Sequence, residues 1–108
     1  MQYKLLKIEI IRELLDKGKI DWTNHCLNRL QQRNISIADV KNAIYTGLII
    51  EWYDEDYPYP SCLVLGYSQN SDILHIVCGL SHNCIHLITA YYPTSDKWED
   101  DMKKRRKK

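Results

Sequence analysis

No apolar run in this chain approaches the roughly 18 residues that a membrane-spanning helix requires, so no membrane partner is expected. The N-terminal stretch MQYKLLKIEIIRELL interrupts its apolar pattern with Glu9, Arg12 and Glu13 and has no small-residue cleavage site, which argues against a signal peptide. A cytoplasmic location follows by default. Four cysteines, Cys26, Cys62, Cys78 and Cys84, form no C-x-x-C pair, and each sits in an apolar stretch where a reduced thiol packs as a small hydrophobe. Cys78, His82, Cys84 and His86 in CGLSHNCIH carry the right atoms for zinc but not an established ligand spacing, so core thiols are the simpler reading and no metal or cofactor is expected. Also missing are a Gly-rich phosphate loop, a Ser-His-Asp order, a paired-carboxylate motif and any internal repeat.

A globally basic surface is lacking too. The tail KKRRKK (103–108) supplies six of fifteen basic residues, leaving nine against fourteen acids, a net of −5 for the rest of the chain. Attraction to nucleic acid must therefore come from a local basic stripe or from the tail, whose lysines and arginines could equally complement a helix dipole. The 108 residues fit one domain, expected over 1–102, with 103–108 as a basic tail.

The periodicities that are present define an order of elements. Leu5, Ile8, Ile11, Leu14 and Leu15 recur at three-and-four spacing over 4–17, an amphipathic helix closed by Gly18. Thr23 can cap a second helix with Cys26, Leu27 and Leu30 on its apolar flank. Asn34 ends it, and Ser36-Ile37-Ala38-Asp39 reads as a capping box opening a third, with Ile37, Val40, Ala43 and Ile44 inward and Gly47 as a left-handed terminator. From there the period shortens. LIIEWY (48–53), SCLVLGY (61–67), ILHIVCG (73–79) and CIHLITAYY (84–92) read as four strands of an antiparallel meander, with DEDYPYP (54–60) as a loop. After Pro93, Thr94 or Ser95 can cap a final helix with early acids and late lysines. The fold expected is α+β: N-terminal helices on a four-stranded antiparallel sheet, plus a C-terminal helix.

Chemistry concentrates in WTNHCLNRLQQRNIS, where His25, Arg29 and Arg33 recur every four residues and so share one helix face. A titratable imidazole beside two permanently charged forks suits phosphate. Cleaving RNA without metal needs a base for the 2′-hydroxyl, cations for the phosphorane charge and an acid for the leaving 5′-oxygen, and these residue types supply them. A helix N-terminus disfavours imidazolium, which suits His25 as a base. The plainer alternative is that His25 caps its helix while Arg29 and Arg33 pair with acids 54–56 on a solvated face. His75 alternates with Leu74 and Ile76 and so points away from the core, where it lines an open sheet face or is simply hydrogen-bonded and half-buried. Thr89 and Tyr91 share a strand face, and the Tyr91 phenol could donate to phosphate or stack on a base, although a strand tyrosine more often simply packs. Trp52, Tyr53, Tyr57 and Tyr59 could stack on bases too, although Asp54, Glu55 and Asp56 beside them repel phosphate and suit a basic protein partner.

The ordered set W-T-x-H-x3-R-x3-R-x-I-S, GLIIEWYDEDYPYPSCLVLG, LHIVCG and ITAYYP followed by W-E resembles a bacterial family of small domains of formerly unknown function. That family looks like a branch of the BrnT-like and RelE-like toxins, whose fold is shared with barnase-type ribonucleases, and the resemblance covers about residues 20 to 101. It implies that His25, Arg29 and Arg33 are the polar helix signature, that His75 and Pro60-Ser61 match the third strand and the loop before the second, and that Thr89 and Tyr91 match the last. Asn34 stands where such sequences usually carry glycine. The resemblance further implies a cognate antitoxin of zinc-finger or helix-turn-helix type. The expected function is a metal-independent endoribonuclease on single-stranded mRNA, a toxin of a toxin-antitoxin pair. His25 would be acid or base, Arg29 and Arg33 would grip the scissile phosphate, and His75 or Tyr91 would donate the complementary proton. The alternative is a noncatalytic module that binds protein or RNA.

Overall fold

A computed structural model describes residues 6–107. Three helices, α1 (Ile8–Asp16), α2 (Asn24–Gln32) and α3 (Ile37–Thr46), lie on one face of a sheet built from β1 (Ile20–Trp22), β2 (Leu48–Tyr53), β3 (Ser61–Tyr67), β4 (Ile73–Ser81) and β5 (Cys84–Tyr91). The strand order is β1-β5-β4-β3-β2. The four expected strands do form an antiparallel meander, but the sheet has a fifth strand and is mixed, because β1 runs parallel to β5 with Ile20 opposite Ile85 and Trp22 opposite Leu87. Three residues are too few to show an alternation, and the partner is more than sixty residues away. Parallel pairing needs such a long crossover, here the whole span from α2 to β4.

The helix ends follow local chemistry. Thr23 accepts the Cys26 N–H at 3.0 Å, Ser36 and Asp39 complete the reciprocal capping box, and Asn34 takes φ 58°, the left-handed conformation that asparagine tolerates best. Gly18, at φ 72°, closes α1, which begins at Ile8 rather than residue 4; Leu5 and the residues before it lie outside the described residues, as does Lys108. Gly47 is not a left-handed terminator. Its backbone is extended (φ −99°), and the orphan carbonyls of α3 are met from α1 instead, where Arg12 donates to Ile44 O at 3.2 Å and Gly47 O at 2.8 Å. What Gly47 and Gly66 supply is room: a Cβ on Gly66 would fall 1.9 Å from the Ala43 carbonyl oxygen, so α3 lies directly on β3.

Ile11, Leu15, Leu30, Val40 and Ile44 from the helices meet Cys62, Val64, Leu74, Ile76, Ile85 and Leu87 from the sheet in one buried cluster. Two β-bulges decide what faces the other way. Ile49 pairs with Val64 but Glu51 with Leu63, so the extra residue Ile50 turns Glu51 away from the helices; likewise Leu87 pairs with Cys78 but Thr89 with Val77, so Ile88 turns Thr89 and Tyr91 to the far face.

That far face is not open. Residues 94–107 cross it, and they contain no helix, contrary to the expected C-terminal one. A single turn starts, with Trp98 N bonding Thr94 O at 3.1 Å. It stops because the Asp101 carboxylate takes the N–H groups of Lys103 and Lys104, Met102 adopts φ 59°, and the chain doubles back so that Trp98 bridges Arg105. The stretch carries one large apolar anchor, Trp98, rather than a helical stripe.

Candidate functional site

Arg33 follows the last turn of α2 and reaches the stretch of β5 beyond its pairing with β1. Its Nη1 donates to Thr89 Oγ1 at 3.0 Å and to the Ala90 carbonyl at 2.8 Å. Two residues on, Tyr91 stands opposite His75 of β4, its hydroxyl 3.4 Å from His75 Nδ1. His75 Nε2 lies 2.7 Å from the Met102 carbonyl, which can only accept. Nε2 therefore carries the proton in the neutral imidazole and Nδ1 is left to accept from Tyr91. The His75 ring is fully buried, edge-on to Trp98 at 4.5 Å and to Tyr91 at 5.3 Å.

A second polar group stands further along the same face. Arg105 donates from Nε and Nη2 to the two carboxylate oxygens of Glu51, each at 3.0 Å, stacks over Trp98 at 4.6 Å and touches the Tyr53 hydroxyl, which itself bonds Glu51. Strands lie about 4.8 Å apart, so Glu51 on β2 and Thr89 on β5, in one cross-strand row, are about 14 Å apart at the backbone. Long side chains close much of that gap.

Electrostatics link the two groups. Burial pushes the Tyr91 phenol up, against the pull of Arg105 and Arg33 and with a further push from Glu51. Burial also works against the Glu51 carboxylate, but the hydrogen bonds from Arg105 and Tyr53 outweigh it and hold the acid below its ordinary range. Tyr53, desolvated and bonded to that carboxylate, is pushed up to about 12. Burial drives His75 down, more than the Met102 carbonyl and Glu51 raise it. Near neutral pH the face thus holds a neutral imidazole, two protonated phenols, an ionised carboxylate and two guanidinium groups.

Of the residues singled out in the sequence, Arg33, His75, Thr89 and Tyr91 come together here. His25 and Arg29 do not join them: both are exposed on α2, and their side chains make no hydrogen bond or ion pair among the described residues. Eight residues of helix put His25 about 12 Å from Arg33 along the axis. Thr23, not His25, caps α2, and Arg33 pairs with Thr89 rather than with acids 54–56. Tyr53 was legible only as part of the aromatic cluster around the loop 54–60, and Glu51, Trp98 and Arg105 were not legible as site residues; for Glu51 the available signal was a lone Glu inside the apolar strand LIIEWY. The four candidate zinc ligands separate, with Cys78 buried beside Cys62 (Sγ to Sγ 3.9 Å) and His86 engaged on the other face; no group of three or more His, Cys, Asp or Glu among the described residues is placed to hold a metal ion.

A family model described as a domain of unknown function (DUF4258) matches residues 22–92. The matched span contains Arg33, Glu51, His75, Thr89 and Tyr91 and ends before Trp98 and Arg105. No curated protein and no solved structure matches the chain.

Proposed function

The chain belongs to the DUF4258 family of domains of unknown function, and from that footing we propose that it is a metal-independent endoribonuclease acting on single-stranded RNA, the toxin of a toxin-antitoxin pair related to the BrnT-like and RelE-like toxins. One observation carries the reading: Tyr91, a protonated phenol, lies in the field of two arginines from different elements, Arg33 and Arg105, on the same face as the ionised Glu51. Cations for a phosphorane, a proton donor and a proton acceptor are the parts that RNA transesterification needs, since RNA brings its own 2′-hydroxyl nucleophile.

In this scheme Arg33, pre-oriented by Thr89 and Ala90, and Arg105 bind the scissile phosphate. Glu51 takes the 2′-hydroxyl proton. Its ion pair keeps it ionised but makes it a weak base, and a phosphate that draws Arg105 away raises its affinity for a proton at the moment of need. Tyr91 donates to the leaving 5′-oxygen. His75, sealed from solvent, positions the phenol rather than touching RNA, and Arg29 extends the cationic track to flanking phosphates, with His25 one turn further along the same exposed helix.

The buried state of His75 and the occupied carboxylate of Glu51 favour a second reading, a module that binds RNA or a protein partner without cutting. Incubating single-stranded RNA with Tyr91→Phe separates the two. Under the nuclease reading cleavage slows about 100-fold while RNA affinity is retained. A wild-type protein that binds RNA and never cuts it fits the module. Growth arrest on expression, relieved by the product of a neighbouring reading frame, tests the toxin assignment.

A further inference from the structure

Helix α1 is apolar over a wider arc than its deepest core contacts use. Ile11 and Leu15 point into the buried cluster, while Ile10, Leu14 and Lys17, spaced four and three, follow one another along the adjoining flank. Between that flank and the β4–β5 turn lies a cavity of about 680 Å³, the size of a small-molecule site. Leu6, Ile10, Leu14, Pro60 and Leu80 supply its apolar wall. Leu80 lies opposite the buried Ile85, so this is the helix side of the sheet, away from Glu51, His75 and Tyr91. Ser81 also lines the cavity, but its hydroxyl is committed to His86 Nε2 at 2.6 Å on the far face and adds no chemistry here.

The cavity is polar at one end. Glu13 and Lys17 neutralise each other there at 2.9 Å, both side chains more than half exposed. Lys19 is different. Its backbone is pinned on both sides, the N–H donating to Leu14 O at 2.9 Å and the carbonyl accepting from Ile85 N–H at 3.0 Å. Its ammonium makes no hydrogen bond or ion pair among the described residues, so the rim carries one uncompensated positive charge. The end of α1 does not repel an anion with bare oxygens, because the carbonyls of Glu13, Leu14 and Leu15 already accept from the N–H groups of Lys17, Lys19 and Gly18. From Ile10 to Lys17 the helix rises about 10 Å, which makes an apolar trough closed by a single cation.

We propose that this cavity, separate from the RNA face, binds the free anion of an aliphatic carboxylic acid, its chain along Ile10, Leu14 and Leu80 and its carboxylate at Lys19 Nζ. A cationic amphiphile meets the lysine with like charge, and a dianionic head leaves one of its charges unanswered. Burial of the chain dominates the affinity, since each CH₂ removed from water is worth about 4-fold. An exposed lysine–carboxylate pair adds up to about 5-fold.

The test titrates the full chain with decanoate, octanoate and decyltrimethylammonium by calorimetry, and follows methyl resonances by NMR. Saturable binding of one decanoate is expected, about 10-fold tighter than octanoate, with the cationic chain weaker than either. Methyl shifts fall on Leu6, Ile10, Leu14 and Leu80 and spare Leu63 on the far face. Lys19→Gln weakens decanoate about 5-fold without weakening the cationic chain, and Ile10→Trp, which fills the trough, weakens decanoate about 10-fold or more. Should Ile10→Trp fail to fold, Lys19→Gln and the NMR map decide. No saturable binding, shifts confined to other residues, equal affinity for the cationic chain, or an unchanged decanoate affinity in Lys19→Gln overturns the proposal. RNA cleavage by Lys19→Gln stays at the wild-type rate, so the two sites succeed or fail independently.

Discussion

Arg33 holds its position by two bonds from one nitrogen to neighbouring atoms of β5, so its guanidinium has lost much of its freedom before any ligand arrives. That pre-organisation distinguishes it from Arg29, one turn earlier and exposed. His75 is the other residue whose surroundings fix its behaviour. Its folded pKa is depressed, so between the unfolded value near 6.5 and the folded one the unfolded chain binds a proton that the folded chain excludes. Stability associated with His75 is thus present above about pH 6.5 and is lost as pH falls through the folded pKa, with a slope of at most about 1.4 kcal/mol per pH unit. Urea unfolding between pH 5 and 7 should show this loss in wild type and a flatter profile in His75→Gln. Equal slopes would remove His75 as the source. Glu51, also depressed, acts in a lower window that starts near its unfolded value and runs downward.

At the scale of elements, α3 on β3 is the tightest join. Gly66→Ala drives a methyl to within 1.9 Å of the Ala43 backbone, which no side-chain rotation relieves, and should cost about 3 kcal/mol or more in denaturant unfolding. A loss under about 1 kcal/mol would mean that the helix moves freely off the sheet. The helices and their caps were readable because their signals are local: Thr23, the Ser36–Asp39 box and Asn34 each act within four residues. The two bulges were not, and they matter most for the site. Simple alternation from Ile49 places Glu51 toward the core and from Leu87 does the same for Thr89, and it takes pairing with β3 and β4 to reveal that Ile50 and Ile88 are the extra residues. The shared face of Thr89 and Tyr91 was legible, since two residues apart they stay together whichever way the strand turns. Strand β1 was missed for its length, and the terminal segment because acid-then-base charge order mimics helix polarity without the apolar stripe that would stabilise one.

Across the whole molecule, the helices cover one sheet face and residues 94–107 cross the other, so the polar site lies between the sheet and the chain's own end. Trp98 is the anchor, 2% exposed against His75. Trp98→Ala should cost about 3–5 kcal/mol, and if the variant still folds the His75 imidazole should titrate closer to its ordinary value by NMR as water reaches it. A His75 titration unmoved by that truncation would show that other groups keep it dry. The basic residues of this segment do not form a detached tail among the described residues, because Arg105 pairs with Glu51 and Arg106 with Glu99 and Asp100. A phosphate entering the site therefore competes with Glu51 for Arg105, which ties RNA binding to the position of the segment. The most direct measurement is the cleavage of 5′-labelled single-stranded RNA in EDTA by wild type and by Arg33→Ala. Wild type should yield fragments ending in 2′,3′-cyclic phosphate, with Arg33→Ala at least about 100-fold slower; RNA left intact by wild type, or cut equally fast by the variant, would contradict a phosphate-handling active site on this face.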